Sequence, residues 1–175
     1  MGAPKQLIKF NNDFLINHMI RTIRIAGIEE LVVVLGSSFE LVRDAVSDPD
    51  VRIVQNLDWP DGISSSLKKG LDEINHTVDA VINFVVDQPF ITPDLLQSFI
   101  TYFMKHDPDI LVTRVGEQLV HPVLFKRRFF DELRSLQGDK GGKQLFSRNE
   151  VAYFDWQDKR LLIDIDTEDD LKKIR

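Results

Sequence analysis

Hydrophobic positions recur along this chain at two spacings, and each spacing assigns an element. Leu15, Met19, Ile23 and Ala26 fall every three or four residues, one face of a helix that Asn12 and Asp13 open and Gly27 stops. Residues 31–35 are apolar at every position, as in a strand covered on both faces. Leu41, Val42, Ala45 and Val46 mark a short helix after Ser37 or Ser38, and Asp48-Pro49-Asp50 marks a turn. Residues 51–54 read as a second strand, 56–62 as a loop, and Ile63, Leu67, Leu71 and Ile74 as the inner stripe of a third helix. Residues 80–86 form the most apolar stretch, which predicts the central strand. Thr92-Pro93-Asp94 is a strong helix start: a capping hydroxyl, proline at the first helical position, and an acid facing the positive helix end.

In the second half, residues 110–115 and 122–125 read as strands too close in sequence for a helical crossover, so an antiparallel pair is expected. Short helices are expected over 127–136 and 140–146, a hairpin over 151–156 and 161–165, and an acid-rich last helix capped by Thr167. Strands alternating with helices over the first two thirds predict an α/β sandwich with a mostly parallel sheet. In such sheets ligands bind beyond the carboxyl ends of the strands, which directs attention to the residues just after each strand.

Composition narrows the function classes. The 175 residues suit one domain, spanning residues 1–175, with 43% hydrophobic and 29% charged residues. With 22 basic against 28 acidic residues the net charge is −6, which disfavours a nucleic-acid binder but not a small anion held by a few placed cations. The absence of cysteine excludes disulfides and thiolate metal sites. No apolar run approaches the ~20 residues that span a bilayer, and a cytoplasmic protein without membrane contact is expected.

Several post-strand residues could carry chemistry. Asp87 follows the apolar 80–86 stretch directly, where a carboxylate can hold a magnesium ion or open a turn before Pro89. Alternation puts Asp164 and Asp166 on one face, where a shared cation would relieve their repulsion; Asp166 could instead support the helix start at Thr167. Gly62 and the serines Ser64, Ser65 and Ser66 stand at a helix N-terminus, whose amides and hydroxyls suit a phosphate or ribose, or a plain cap. Lys5 offers a point charge for phosphate oxygens. The segment Gly138-Asp139-Lys140-Gly141-Gly142-Lys143 could form an anion-binding nest or a surface turn. His121 precedes Pro122 in an apolar strand, where a lone histidine is usually structural.

Taken in order, these segments resemble one family. Met1-Gly2-Ala3-Pro4-Lys5-Gln6-Leu7 resembles the second half of the nucleotidyltransferase signature. The stretch from Asn56 through Trp59 and Gly62 to Ser66-Leu67 and Gly70-Leu71 resembles the N-x-x-W-x-x-G-x-x-x-S-L-x-x-G-L segment of the MocA-like molybdenum cofactor cytidylyltransferases. Asp87-Gln88-Pro89, His121-Pro122-Val123-Leu124-Phe125, Gly138-Asp139-Lys140-Gly141 and Asp164-Ile165-Asp166-Thr167 match that family's D-Q-P, H-P-V-L-F, G-D-K-G and D-I-D-T.

The resemblance implies a three-layer Rossmann-like nucleotidyltransferase fold with a mostly parallel mixed sheet. It implies transfer of CMP from CTP to the terminal phosphate of molybdopterin cofactor, with Mg2+ and release of pyrophosphate. Lys5 and Asp87 would be catalytic. Gly2, Lys5, Gly62, Ser65, Ser66 and Asp87 would bind nucleotide. Asp87 with Asp164 or Asp166 would hold the metal, and His121, Asp139 and Lys140 would face the acceptor. Two alternatives stay open: a guanylyltransferase or other small-molecule nucleotidyltransferase, and a non-catalytic factor that carries the cofactor to a molybdenum hydroxylase. Two departures stand out. Val86 replaces the family's glycine before D-Q-P, which would narrow the space for a ribose or shift the backbone. The chain also opens partway through the signature, without the L-A-A-G loop and the strand that lies mid-sheet in the family. The expectation is a gene product that starts upstream of Met1, the alternative being a true short form.

Overall fold

The computed structural model describes residues 4–75 and 77–172. Expected elements recur nearly in place, with helices α1 (Leu15–Ile25), α2 (Phe39–Arg43), α3 (Ile63–Glu73), α4 (Pro93–His106), α5 (Phe130–Ser135) and α6 (Glu168–Lys172). Strands are β1 (Lys9–Phe10), β2 (Asp13–Phe14), β3 (Val32–Leu35), β4 (Arg52–Gln55), β5 (Ala80–Asn83), β6 (Ile110–Val115), β7 (Gln118–Lys126) and β8 (Ala152–Asp155). The Thr92 start behaves as its sequence predicts: its Oγ1 accepts the Leu95 amide at 3.2 Å, with Pro93 in the first turn.

β5, β6 and β7 form one four-stranded sheet with β8, in the order β5-β7-β6-β8. β7 runs antiparallel to both its neighbours, while β6 and β8 are parallel. β3 and β4 pair in parallel as a separate sheet, and β1 and β2 form a small hairpin. Alternation along the strands builds three layers. Leu111 and Leu124 pack on Phe99 of α4, whereas Ile110, Val112, Val123 and Phe125 pack on Leu71 of α3 and on Phe130 and Leu133 of α5. α1 covers β3 and β4 through Ile16 and Ile20, which meet Val33 and Ile53.

Three expectations are corrected. Residues 80–86 do not form the central strand: β5 is shorter and lies at the edge of its sheet, while β6 and β7 are paired on both sides. The 151–156 and 161–165 hairpin does not form. β8 pairs in parallel with β6, and residues 159–162 make a 3₁₀ turn in which Asp158 accepts the Arg160 amide at 3.0 Å. That turn drives Leu161 into the core, at 1% exposure, instead of along a strand. Asn12 and Asp13 lie in and after the β1–β2 turn, Asn11 and Asn12 both at positive φ, so the helix starts two residues later than the polar pair suggests.

Candidate active site

Three carboxyl ends of strands carry the motif residues. Gly36 follows β3, Asn56 follows β4, and Asp87 lies in a turn a few residues beyond β5. The Asp87-Gln88-Pro89 turn is fastened at each residue. The Asp87 carbonyl accepts the Ile165 amide at 2.8 Å. The buried Gln88 amide accepts from the His121 backbone amide at 3.2 Å and donates to Asp164 Oδ1 at 3.0 Å. His18 of α1 donates from Nε2 to the Pro89 carbonyl at 2.9 Å. Three segments far apart in sequence therefore hold the turn that carries one carboxylate.

That carboxylate meets Lys5. The ammonium lies 2.5 Å from Asp87 Oδ2 and 3.0 Å from Asp166 Oδ1, so both acids converge on one positive charge. Burial acts to lower the Lys5 pKa, but hydrogen bonds and charge from Asp87 and Asp166 outweigh it and the net shift is upward. The Lys5 and Asp87 side chains keep 35% and 19% of their surface, enough for a ligand to reach them, and Asp166 keeps 67%. Asp164 does not join them; its carboxylate is given to Gln88. Alternation was expected to place Asp164 and Asp166 together, but residues 163–166 are not in a strand ladder, and the Ile165 bond to Asp87 sends its two neighbours to different partners. Among the described residues no group of three or more His, Cys, Asp or Glu side chains could hold a metal ion. Two oxygen donors, Asp87 and Asp166, do suit a hard cation that keeps several waters and takes its remaining ligands from substrate phosphates.

The serine segment is organised by Asn56, which is 2% exposed. Its Nδ2 donates to Ser65 Oγ at 2.9 Å and to Ser66 Oγ at 3.0 Å, and its Oδ1 accepts the Asp58 amide at 3.0 Å. Ser65 in turn donates to the Gly62 carbonyl at 2.8 Å. Gly62 has φ +99°, and a Cβ there would lie 2.6 Å from both Asp139 Oδ1 and the Gly138 carbonyl carbon. The close approach lets Asp139 accept the Ile63 amide at 3.3 Å, at the positive end of α3. The 138–143 segment thus docks beside the serines, and Asp139 is engaged there instead of standing free for an acceptor. Lys140 is exposed.

His121 is held by burial to a pKa of about 4, lowered further by the Lys143 charge and partly offset by Asp87. The neutral imidazole therefore lies within electrostatic reach of both Asp87 and the Lys143 end of the docked loop. Val86, the departure from the family glycine, packs against two buried clusters, one of Ile16, Ile20 and Val51 and one of Ile8, Leu15 and Ile165. Its side chain thus belongs to the apolar packing under α1. Gly2 lies outside the described residues. Gln88 and Asn56 stand inside the quoted motifs, yet the motifs alone assign neither a role. The available signal was an amide side chain shortly beyond a strand, a group that donates and accepts at once and so can join two segments.

Known proteins resemble this chain over nearly its whole length. The sequence model of the MobA-like NTP transferase domain matches residues 1–153. A nicotine blue oxidoreductase from Paenarthrobacter nicotinovorans is 24% identical over 183 aligned positions, covering 98% of this chain and 88% of that protein. The crystal structure of Rv0371c from Mycobacterium tuberculosis H37Rv superposes with a TM-score of 0.86 at 26% identity, covering 99% of this chain and 89% of that one. A structure of Rv0371c in complex with manganese gives a TM-score of 0.81 at 27% identity, covering 99% of this chain and 92% of the other.

Proposed function

The chain belongs to the MobA-like NTP transferase family, and from that premise we propose that this nucleotidyltransferase moves CMP from CTP to the terminal phosphate of molybdopterin cofactor. The observation that carries the proposal is the convergence of Asp87 and Asp166 on Lys5 at the carboxyl end of the sheet. The N-x-x-W-x-x-G-x-x-x-S-L pattern from Asn56 to Leu67 supports the cytidylyl branch, and the manganese complex of a relative supports a divalent cation.

In this reading an acceptor phosphate oxygen attacks the α-phosphorus of CTP. The new P–O bond forms as the bond to the β-phosphate breaks, and pyrophosphate leaves with the electron pair. No covalent enzyme intermediate is needed, so the protein contributes position and charge. Asp87 and Asp166 would hold Mg2+, which neutralises phosphate charge and orients the triphosphate. Lys5 supplies a second positive charge to the phosphates. Ser65 and Ser66, aligned by Asn56, would face the nucleotide, and the Ile63 end of α3 adds the partial positive charge of a helix N-terminus. His121 and Lys140 border the acceptor side, with the neutral His121 unable to compete for phosphate as a cation near pH 7.

The test is turnover of molybdopterin cofactor with labelled CTP and Mg2+, following pyrophosphate release and the dinucleotide product. CTP is expected to be used at least tenfold more efficiently than GTP; equal use would overturn the cytidylyl assignment. Asp87→Asn should abolish turnover while the circular dichroism spectrum stays that of the wild type, and near-normal activity in that variant would remove Asp87 from the metal site.

A further inference from the structure

We infer that Lys5 is the site's internal counter-ion, which a divalent cation must displace, so that metal and nucleotide enter as a coupled pair. This rests on the nucleotidyl-transfer reading above and adds an order to it. The geometry is specific. The Lys5 ammonium lies between Asp87 and Asp166 at 2.5 and 3.0 Å, in the position a cation shared by those two carboxylates would take. An ammonium and a divalent ion cannot share that position, because like charges a few ångströms apart repel by several kcal/mol at the effective dielectric of a half-buried site.

The free protein therefore offers a poor metal site for two reasons. Only two carboxylates converge there, with no group of three or more metal-ligating side chains among the described residues. Both carboxylates also already hold a cation. Expelling Lys5 without a new partner leaves a partly buried ammonium unpaired, which is unfavourable. A triphosphate reverses that balance. Its oxygens receive the released ammonium and complete the metal's ligands, so each ligand lowers the free energy of binding the other. Lys5 thereby has one role before the nucleotide binds, neutralising Asp87 and Asp166, and another afterwards, at the phosphates. Asp87 can serve as the fixed partner in this exchange because Gln88, Ile165 and His18 hold its turn in place from three sides.

The experiment uses Mn2+ as the probe. Electron paramagnetic resonance of free Mn2+ gives the affinity of metal-stripped wild type and of Lys5→Met, both without nucleotide. Lys5→Met should bind Mn2+ about tenfold more tightly, within the usual range of such couplings. In parallel, equilibrium dialysis measures labelled CTP bound by the wild type with Mn2+ present. CTP bound together with equal Mn2+ affinity in the two proteins would overturn the exchange alone. No CTP bound would overturn the nucleotidyl-transfer reading and the exchange with it. A second measurement needs no variant: the 15N resonance of the Lys5 ammonium in wild type should move with Mg2+ and CTP together but not with the same concentration of Mg2+ alone. A full shift with Mg2+ alone would refute the coupling.

Discussion

His121 shows how burial can keep one side chain beside the candidate site uncharged. Burial holds its pKa at about 4, well under the ordinary value of 6.5 that it recovers on unfolding. Between those values the unfolded chain binds more protons than the folded one, so stability rises with pH across that window. Above about pH 6.5 both states are neutral and His121 exerts no pH effect. As pH falls toward 4 it withdraws up to about 3 kcal/mol, at 1.36 kcal/mol per pKa unit. Urea unfolding of wild type and of His121→Gln at pH 7 and pH 5 isolates this contribution from the other titrating groups. The wild type should lose more stability than the variant on acidification; identical losses would mean that the folded imidazole titrates normally. The groups facing it are Lys143, which works in the same direction as burial, and Asp87, which opposes it.

At the scale of elements, the docking of residues 138–143 onto α3 hangs on Gly62. Its φ of +99° is open to glycine and strained for other residues, and an added Cβ would collide with Asp139 and the Gly138 backbone. Gly27 makes a useful control, since it too has positive φ, +90°, but no atom within 4 Å of an added Cβ. Gly27→Ala should cost only the conformational strain, about 1–3 kcal/mol, with activity unchanged. Gly62→Ala should lose at least as much stability and in addition raise the KM for nucleotide several-fold, because the serine hydroxyls and the α3 amides shift with the loop. Steady-state kinetics beside urea unfolding separates the two contributions. If the two variants behave alike, the docked loop has no part in nucleotide binding. Elements of this kind were largely legible in the sequence. The Thr92 cap, the Gly27 stop and the β-branched runs act through local geometry, and local geometry is written in neighbouring residues. Partnerships were not legible. Asp164 was read with Asp166 by strand alternation, but which acid reaches Lys5 depends on Gln88, 76 positions earlier than Asp164, and on an Ile165 amide bond to Asp87. The 161–165 stretch likewise has the composition of a strand, yet Asp158 closes a turn there and the burial of Leu161 prevails over β propensity.

At the scale of the whole molecule, the candidate site is divided between two sheets. Asn56 and the serines leave the β3–β4 pair, Asp87 leaves the four-stranded sheet, and no ladder joins β3 to β5 among the described residues. The most apolar stretch of the sequence therefore ends at an edge, and what bridges the two sheets is side-chain packing: Val86 and Val33 of β3 both lie against the buried cluster of Ile16, Ile20 and Val51. Packing without a ladder leaves alternate backbone amides of an edge strand without a strand partner, whereas every amide of a strand paired on both sides is held. Native-state hydrogen exchange should accordingly rank β6 and β7 slowest, with alternate amides of Ala80–Asn83 and of Val32–Leu35 exchanging far faster than the amides between them. A ligand that touches both sheets ties their relative position to its own binding. At one hundred times its dissociation constant such a ligand stabilises the folded state by about 2.7 kcal/mol. Addition of Mg2+ and CTP should therefore slow exchange in β3, β5 and the Asp87-Gln88 turn together, while β8, an edge strand of the four-stranded sheet that is paired only to β6, changes least. Uniformly slow exchange through Ala80–Asn83 in the free protein would show that the β5 edge is already paired in solution, and protection confined to one sheet would show that the nucleotide is bound by that sheet alone.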